Sequence, residues 1–204
     1  KQFAALNKKC LFNQNIPFDL SVKKSRFELN EHSDKGEIPQ TVIGQGNTLM
    51  TPFHNALLMC AVANDGVLMK PYVIDHIEGT DNTIVKENIP EIYADLMSKK
   101  DAKKLQKMLR EVVTDGTGYS LDTDLYTAAG KTGTAENEGK YAHAWFVGYS
   151  NVEDPDLVVC VLVENTGAGS KYAVPIAKKI FNSYYNNNMK EYYGEKKNTA
   201  QSDE

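Results

Sequence analysis

The sequence predicts an α+β fold, an antiparallel sheet with helices on both faces, and three observations point to it. Residues 127 to 135, 142 to 150 and 157 to 164 read as strands separated by short turns at Asn137-Glu138-Gly139 and Glu153-Asp154-Pro155-Asp156. Turns this short favour antiparallel hairpins, since parallel neighbours need a long crossover. The last two strands are apolar on both faces, as central strands with helices above and below are. Segments at helical period, 99 to 113 and 173 to 185, supply those layers.

Taken in order, residues 1 to about 40 are polar and broken by Pro17, Gly36 and Pro39, which predicts a short helix and then an irregular connection. Thr51 is a good N-cap with Pro52 at the first helical position. The run Ala56 to Ala63 is apolar nearly all round, so this helix is expected to be buried and to end at Asn64-Asp65-Gly66. Residues 71 to 78 and 83 to 86 suggest strands about a turn at Gly79-Thr80-Asp81-Asn82. Ser98 and Asp101 form a capping-box pattern, and Ala102, Leu105, Met108, Leu109, Val112 and Val113 follow on one face. After the three strands, Ala173, Ala177, Ile180, Phe181 and Tyr184 describe a closing helix with Pro175 in its first turn. Beyond Asn186 periodicity ends, so residues 188 to 204 are expected to be a polar, disordered tail.

Composition narrows the function. With 204 residues and 41% hydrophobic content the chain can bury one substantial core. A net charge of -4 without a dense basic stripe argues against a nucleic-acid partner, and the lysines at 99, 100, 103 and 104 read as the wet face of a helix. Cys10, Cys60 and Cys160 lack metal or redox spacing, and Cys60 and Cys160 sit in apolar runs that suggest buried small hydrophobes. The four histidines show no paired spacing, so neither a metal site nor a cofactor is expected. No stretch reaches the roughly 18 to 20 apolar residues of a membrane span, and Lys1-Gln2-Phe3 does not open a signal peptide.

The most informative run is Gly130-Lys131-Thr132-Gly133-Thr134. Its glycines let a ligand lie against the backbone, Lys131 supplies a point charge, and the two threonines offer hydroxyl donors to an anion. A solvated turn after a strand is the bland alternative. A phosphate-binding P-loop fails because the position needing its first glycine is Leu125. A dinucleotide fingerprint fails at Leu49, Leu121 and Tyr172. A K-T-G triplet has a third use, in serine acyl-transfer enzymes that handle penicillin.

The surrounding motifs extend that third use. Ile43-Gly44-Gln45-Gly46, Thr51-Pro52, Ala63-Asn64-Asp65-Gly66 and Lys70-Pro71 precede the triplet; Gly116-Thr117-Gly118, Ala144-Trp145-Phe146-Val147-Gly148-Tyr149 and Val161-Leu162-Val163-Glu164-Asn165 flank it. In order and spacing, over about residues 10 to 187, the chain resembles the penicillin-binding transpeptidases, whose fold is shared with serine β-lactamases. The stretch Phe12 to Asp19 looks more like the monofunctional class B enzymes. The resemblance implies a substrate, the D-alanyl-D-alanine end of a peptidoglycan stem peptide, and β-lactams as inhibitors. It implies that Lys131, Thr132, Gly133 and Thr134 bind substrate. Lys131 would bring charge to the cleft, the Thr132 and Thr134 hydroxyls would hold the terminal carboxylate, and the Thr134 amide would donate to the oxyanion.

The same family needs an S-x-x-K nucleophile and an S-x-N relay. Ser21-Val22-Lys23-Lys24 spells the former, but polar neighbours and short spacing to K-T-G make it a decoy, and no S-x-N follows. Residues 1 to 187 are therefore expected to be the C-terminal part of a transpeptidase domain, inactive alone. The nucleophile would lie on the missing N-terminal part, in a parent anchored at the extracytoplasmic face of a bacterial membrane. The competing expectation is a non-catalytic binding or scaffold module that kept the fold and lost the serine. A chance run of motifs in an unrelated α+β domain is the blandest.

Overall fold

The computed structural model describes residues 2–29 and 33–186, so the expected polar tail lies outside the described residues. Compactness divides the chain into two units, Lys1–Leu105 and Gln106–Glu204.

The first unit opens with helix α1 (Gln2–Lys9) and an irregular stretch, then a short helix α2 (Glu37–Val42) that the sequence did not suggest. Pro39 is the third residue of α2 and does not break it, because first-turn amides have no helical acceptor in any case. Helix α3 (Pro52–Ala63) starts as expected: the Thr51 hydroxyl accepts from the His54 amide at 3.2 Å. It ends at Ala63 with Asn64 as its C-cap; Asp65 and Gly66 just beyond are both at positive φ, and a Cβ on Gly66 would lie 2.5 Å from the Met97 carbonyl. Only glycine fits there. Leu57 and Ala61 of α3 pack with Leu11, Ile16, Leu68 and Leu96 as this unit's core. Contrary to expectation Cys60 is at the surface of α3, and Cys160 is only half-buried.

The loop after α1 is docked by side chains acting as backbone. Asn13, at positive φ, donates from Nδ2 to the Phe27 carbonyl at 2.7 Å and accepts the Phe27 amide on Oδ1 at 3.0 Å. Phe18 stacks on Phe53 of α3 with ring centroids 4.6 Å apart. Two small antiparallel pairs complete the unit: β1 (Val67–Met69) with β4 (Ile92–Asp95), and β2 (His76–Glu78) with β3 (Ile84–Glu87). The expected strand from residue 71 begins only at His76, while β1 and β4 were not anticipated: each is short and exists through its pairing with the other.

Helix α4 (Lys99–Thr114) keeps its capping box, with the Ser98 hydroxyl accepting the Asp101 amide at 3.1 Å and donating to the Asp101 carboxylate at 2.7 Å. Its lysines are on the wet side as expected; Lys99 and Lys103 each reach Asp65 at 2.9 Å. Met108, placed on the apolar stripe by sequence, is exposed.

In the second unit β5 (Ala128–Ala135), β6 (His143–Ser150) and β7 (Leu157–Val163) form one antiparallel sheet in that order, with β6 central. Ala128, Ala144, Phe146, Val159 and Val161 share one face and are covered by Ala173, Val174, Ala177 and Phe181 of α5 (Gly169–Asn186). On the opposite face Ala129, Val147 and Tyr149 are buried too. Helix α5 begins four residues earlier than the sequence suggested, so Pro175 is inside it and not in its first turn. The proline cannot donate to the carbonyl of Lys171, one hydrogen bond that this helix forgoes.

Candidate functional site: the outer edge of the K-T-G strand

Among the described residues strand β5 pairs with β6 along one side only. The Asn151 amide donates to the Thr127 carbonyl at 2.7 Å, which makes 127 and 151 a hydrogen-bonded pair in the same register. Bonded and non-bonded pairs alternate in an antiparallel ladder, so Lys131 and Gly133 turn their backbone groups toward β6. Ala128, Gly130, Thr132 and Thr134 turn theirs outward. The Thr134 amide thus faces the outer edge, the orientation an oxyanion donor needs.

Two outward carbonyls are already engaged by cations. Arg110 of α4 donates from Nη1 to the Ala128 carbonyl and from Nη2 to Asp122, both at 2.9 Å. Lys131 donates from Nζ to the Thr132 carbonyl at 2.8 Å. Alternation puts the Lys131 side chain on the face opposite Thr132 and Thr134, yet its length lets the ammonium curl round to the edge. The Thr132 hydroxyl lies 2.7 Å from the hydroxyl of Thr117, in the turn that follows α4. Lysine charge, threonine hydroxyls and an outward amide therefore gather along one strand edge, a set suited to a carboxylate and an adjoining oxyanion.

The glycines of this strand serve the protein's own packing. A Cβ on Gly130 would lie 2.7 Å from the tip of the Phe146 ring and 2.7 Å from the Val147 carbonyl; one on the opposing Gly148 would lie 2.6 Å from the same ring. Phe146, fully buried, fills the space both side chains would take. The sequence reading of Gly130 as room for a ligand is corrected accordingly. At Gly133 a Cβ would meet the Trp145 Cβ at 3.1 Å, while the first residue of α5, Gly169, is so close that its own Cβ would strike the Trp145 carbonyl and come 2.5 Å from the Gly133 carbonyl.

Ser21 to Lys24 lie in an irregular, non-helical segment with Ser21, Lys23 and Lys24 exposed. The helical turn that would put a nucleophilic serine and its lysine on one face is not formed there. Sequence reasoning missed Arg110 as a strand anchor and Gly169 as the contact for Gly133. For Thr117 the signal was present, as the centre of Gly116-Thr117-Gly118, but not its partner. Among the described residues no group of three or more His, Cys, Asp or Glu is placed to hold a metal ion, and no helix is long and apolar enough to cross a membrane.

The chain is similar to known proteins in sequence and in fold. Residues 3–182 match the Penicillin binding protein transpeptidase domain. The chain is 31% identical over 156 residues to the peptidoglycan D,D-transpeptidase PbpA of Mycolicibacterium smegmatis, which covers 71% of this chain and 31% of that protein. It is 33% identical over 176 residues to the peptidoglycan D,D-transpeptidase MrdA of Haemophilus influenzae, covering 76% and 27%. Among solved structures, the imipenem acyl-enzyme complex of penicillin-binding protein A from M. tuberculosis superposes with a TM-score of 0.78 at 26% identity, over 88% of this chain and 40% of that one. The chain thus spans 31% and 27% of the length of those two curated relatives. The motif series, the antiparallel sheet with K-T-G on its outer strand, and the match over most of its length establish that the chain belongs to the penicillin binding protein transpeptidase domain family.

Proposed function

We propose that residues 1 to 187 form the C-terminal portion of a serine-type D,D-transpeptidase, which binds the D-alanyl-D-alanine end of a peptidoglycan stem peptide, and β-lactams in its place, for cell-wall cross-linking. The observation that carries this is the outer edge of β5. The share of the relatives that the chain spans, and the non-helical conformation at Ser21, support assigning the nucleophile to another part of the parent protein. The parent is read as a monofunctional class B enzyme acting on the extracytoplasmic side of a bacterial membrane.

In this reading the donor peptide lies along β5. Its terminal carboxylate accepts from Thr132 and Thr134, and the Lys131 ammonium supplies the compensating charge. The serine attacks the penultimate D-alanine carbonyl, the electron pair moves onto its oxygen, and the outward Thr134 amide donates to that oxyanion. Collapse expels the terminal D-alanine, whose nitrogen takes up the proton that the serine gave up, and leaves an acyl-enzyme for the acceptor amine. A β-lactam follows the same path, but its leaving nitrogen stays tethered.

Removing a charge-assisted contact costs about 1.5 to 3 kcal/mol, roughly ten- to a hundredfold in acylation efficiency. Lys131→Ala in the full-length parent is expected to slow acylation by a fluorescent penicillin by that factor with unchanged melting, and Thr132→Val by less. Intact-mass measurement on residues 1 to 204 alone is expected to find no penicillin adduct. Wild-type rates in both variants would remove the carboxylate-binding role; an adduct on the isolated chain would remove the partial-domain reading and restore Ser21 as nucleophile. A folded parent that takes no penicillin at all would point instead to a scaffold.

A further inference from the structure

Thr117 sits in a turn that is tied to α4 by its backbone. The Gly118 amide donates to the Val112 carbonyl at 2.9 Å, Tyr119 to Gly116 at 3.2 Å and Leu121 to Gly118 at 2.9 Å. A Cβ on Gly116 would lie 2.8 Å from the Val112 carbonyl and 2.9 Å from its Cα; one on Gly118 would lie 3.2 Å from the same carbonyl. Val113 and Leu121, both fully buried, anchor the two ends of this turn. The glycine before Thr117 is thus required by contact with α4, the one after it is tight against the same helix, and the side chain between them is held 2.7 Å from the Thr132 hydroxyl.

A hydroxyl has a single proton, so one member of this pair donates and the other accepts. If Thr132 donates to Thr117, its proton is unavailable to a ligand. If Thr117 donates to Thr132, the Thr132 proton is left to point elsewhere, and the inward bond polarises it. An anion at the outer edge of β5 selects the second arrangement.

Resting on the carboxylate-binding reading above, we propose that Thr117 is a positioning residue for the K-T-G edge: its hydroxyl donates to Thr132 and thereby turns the Thr132 proton toward the carboxylate of the substrate or β-lactam. Thr117 does not itself touch the reacting atoms. It acts by setting the direction of a proton that would otherwise have two acceptors to choose between.

The test measures second-order acylation of the full-length parent by benzylpenicillin and by its methyl ester, which lacks the carboxylate. Thr117→Val is expected to slow benzylpenicillin by about tenfold, the size of one neutral hydrogen bond, and to leave the ester rate unchanged. Thr117→Ser, which keeps the hydroxyl, is expected to restore most of the rate. The double variant Thr117→Val with Thr132→Val is expected to be no slower than Thr132→Val alone, because the two hydroxyls act as one unit. Equal slowing of both compounds, additive losses, or a wild-type rate in Thr117→Val would each overturn the proposal while Thr132→Val still shows its own loss. If Thr132→Val is at wild-type rate, the carboxylate-binding reading fails first and this one with it. Thermal melting accompanies each variant; should Thr117→Val not fold, Thr117→Ala supplies the same comparison.

Discussion

His54 is fully buried, and its Nε2 lies 2.6 Å from the Cys10 carbonyl, an atom that can only accept. The proton is therefore on Nε2, and Nδ1 has no hydrogen-bond partner among the described residues. Phe12 packs against the ring at 4.8 Å between centroids. Burial holds the imidazole below its usual pKa, with the bond to Cys10 acting the other way. The unfolded chain, titrating near 6.5, takes up the proton first, so this contribution to stability is complete above about pH 6.5 and is lost as pH falls below it. His76 carries the opposite sign: the hydrogen bonds its ring donates to the Asp75 and Glu78 carboxylates raise it, so its contribution belongs below about pH 6.5 and fades as pH rises, and solvent around these exposed carboxylates screens it. His54→Gln is expected to be less stable than wild type at pH 7.5, with the gap narrowing by pH 5.5. Urea midpoints at the two pH values measure this; parallel losses on acidification in both proteins would rule His54 out as the source. The sequence showed His54 as one unpaired histidine in an apolar helix, and only the fold disclosed a carbonyl 44 residues away as its partner.

At the scale of elements, the start of α5 and the K-T-G strand hold one another. Gly169 lies directly over the backbone of β5 and β6, so any side chain there displaces either the helix or the strand. Gly169→Ala is expected to destabilise the second unit by about 1 to 3 kcal/mol, as overpacking does, and to slow penicillin acylation of the parent by shifting Gly133 and its neighbours. Melting and acylation should fall together; a loss of stability with acylation intact would separate α5 from the site. This coupling could not be read from Gly167 and Gly169, which the sequence offered only as a failed dinucleotide fingerprint. The strands themselves were legible because β6 and β7 declare their burial in apolar composition, and turns of a few residues leave antiparallel pairing as the economical solution. The pair β1 and β4 was not, since three or four residues carry too little period to be read before their pairing is known.

Among the described residues each compact unit has a core of its own. Leu57, 7% exposed in the core of the first unit, is expected to cost about 2 to 5 kcal/mol when cut to alanine, through lost burial and the cavity left behind. Lys100, exposed on α4, should shift stability by less than about 0.5 kcal/mol on the same change. It is a cleaner control than Lys103, whose ammonium meets Asp65. Chemical denaturation followed by tryptophan fluorescence and circular dichroism compares the two, and equal effects would mean that α3 does not organise this core. Trp145, the only tryptophan, is in the second unit, so disagreement between the two probes would report independent unfolding of the units.

The sequence by itself determined the kinds and order of the main elements, the antiparallel sheet, and the family, through a series of motifs whose order is far more specific than any one. Those are properties of local period, turn chemistry and short runs of residues, which a chain displays without folding. Tertiary structure alone decided what the motif residues meet: Thr117 the Thr132 hydroxyl, Arg110 the Ala128 carbonyl, and Phe146 the hollow left by Gly130 and Gly148. It also decided that Thr132 and Thr134 turn their amides outward, because that depends on the register of β5 against β6. Such meetings join residues distant in the chain through packing and strand register, and a one-residue slip would reverse which backbone groups face the edge while changing nothing in the local pattern.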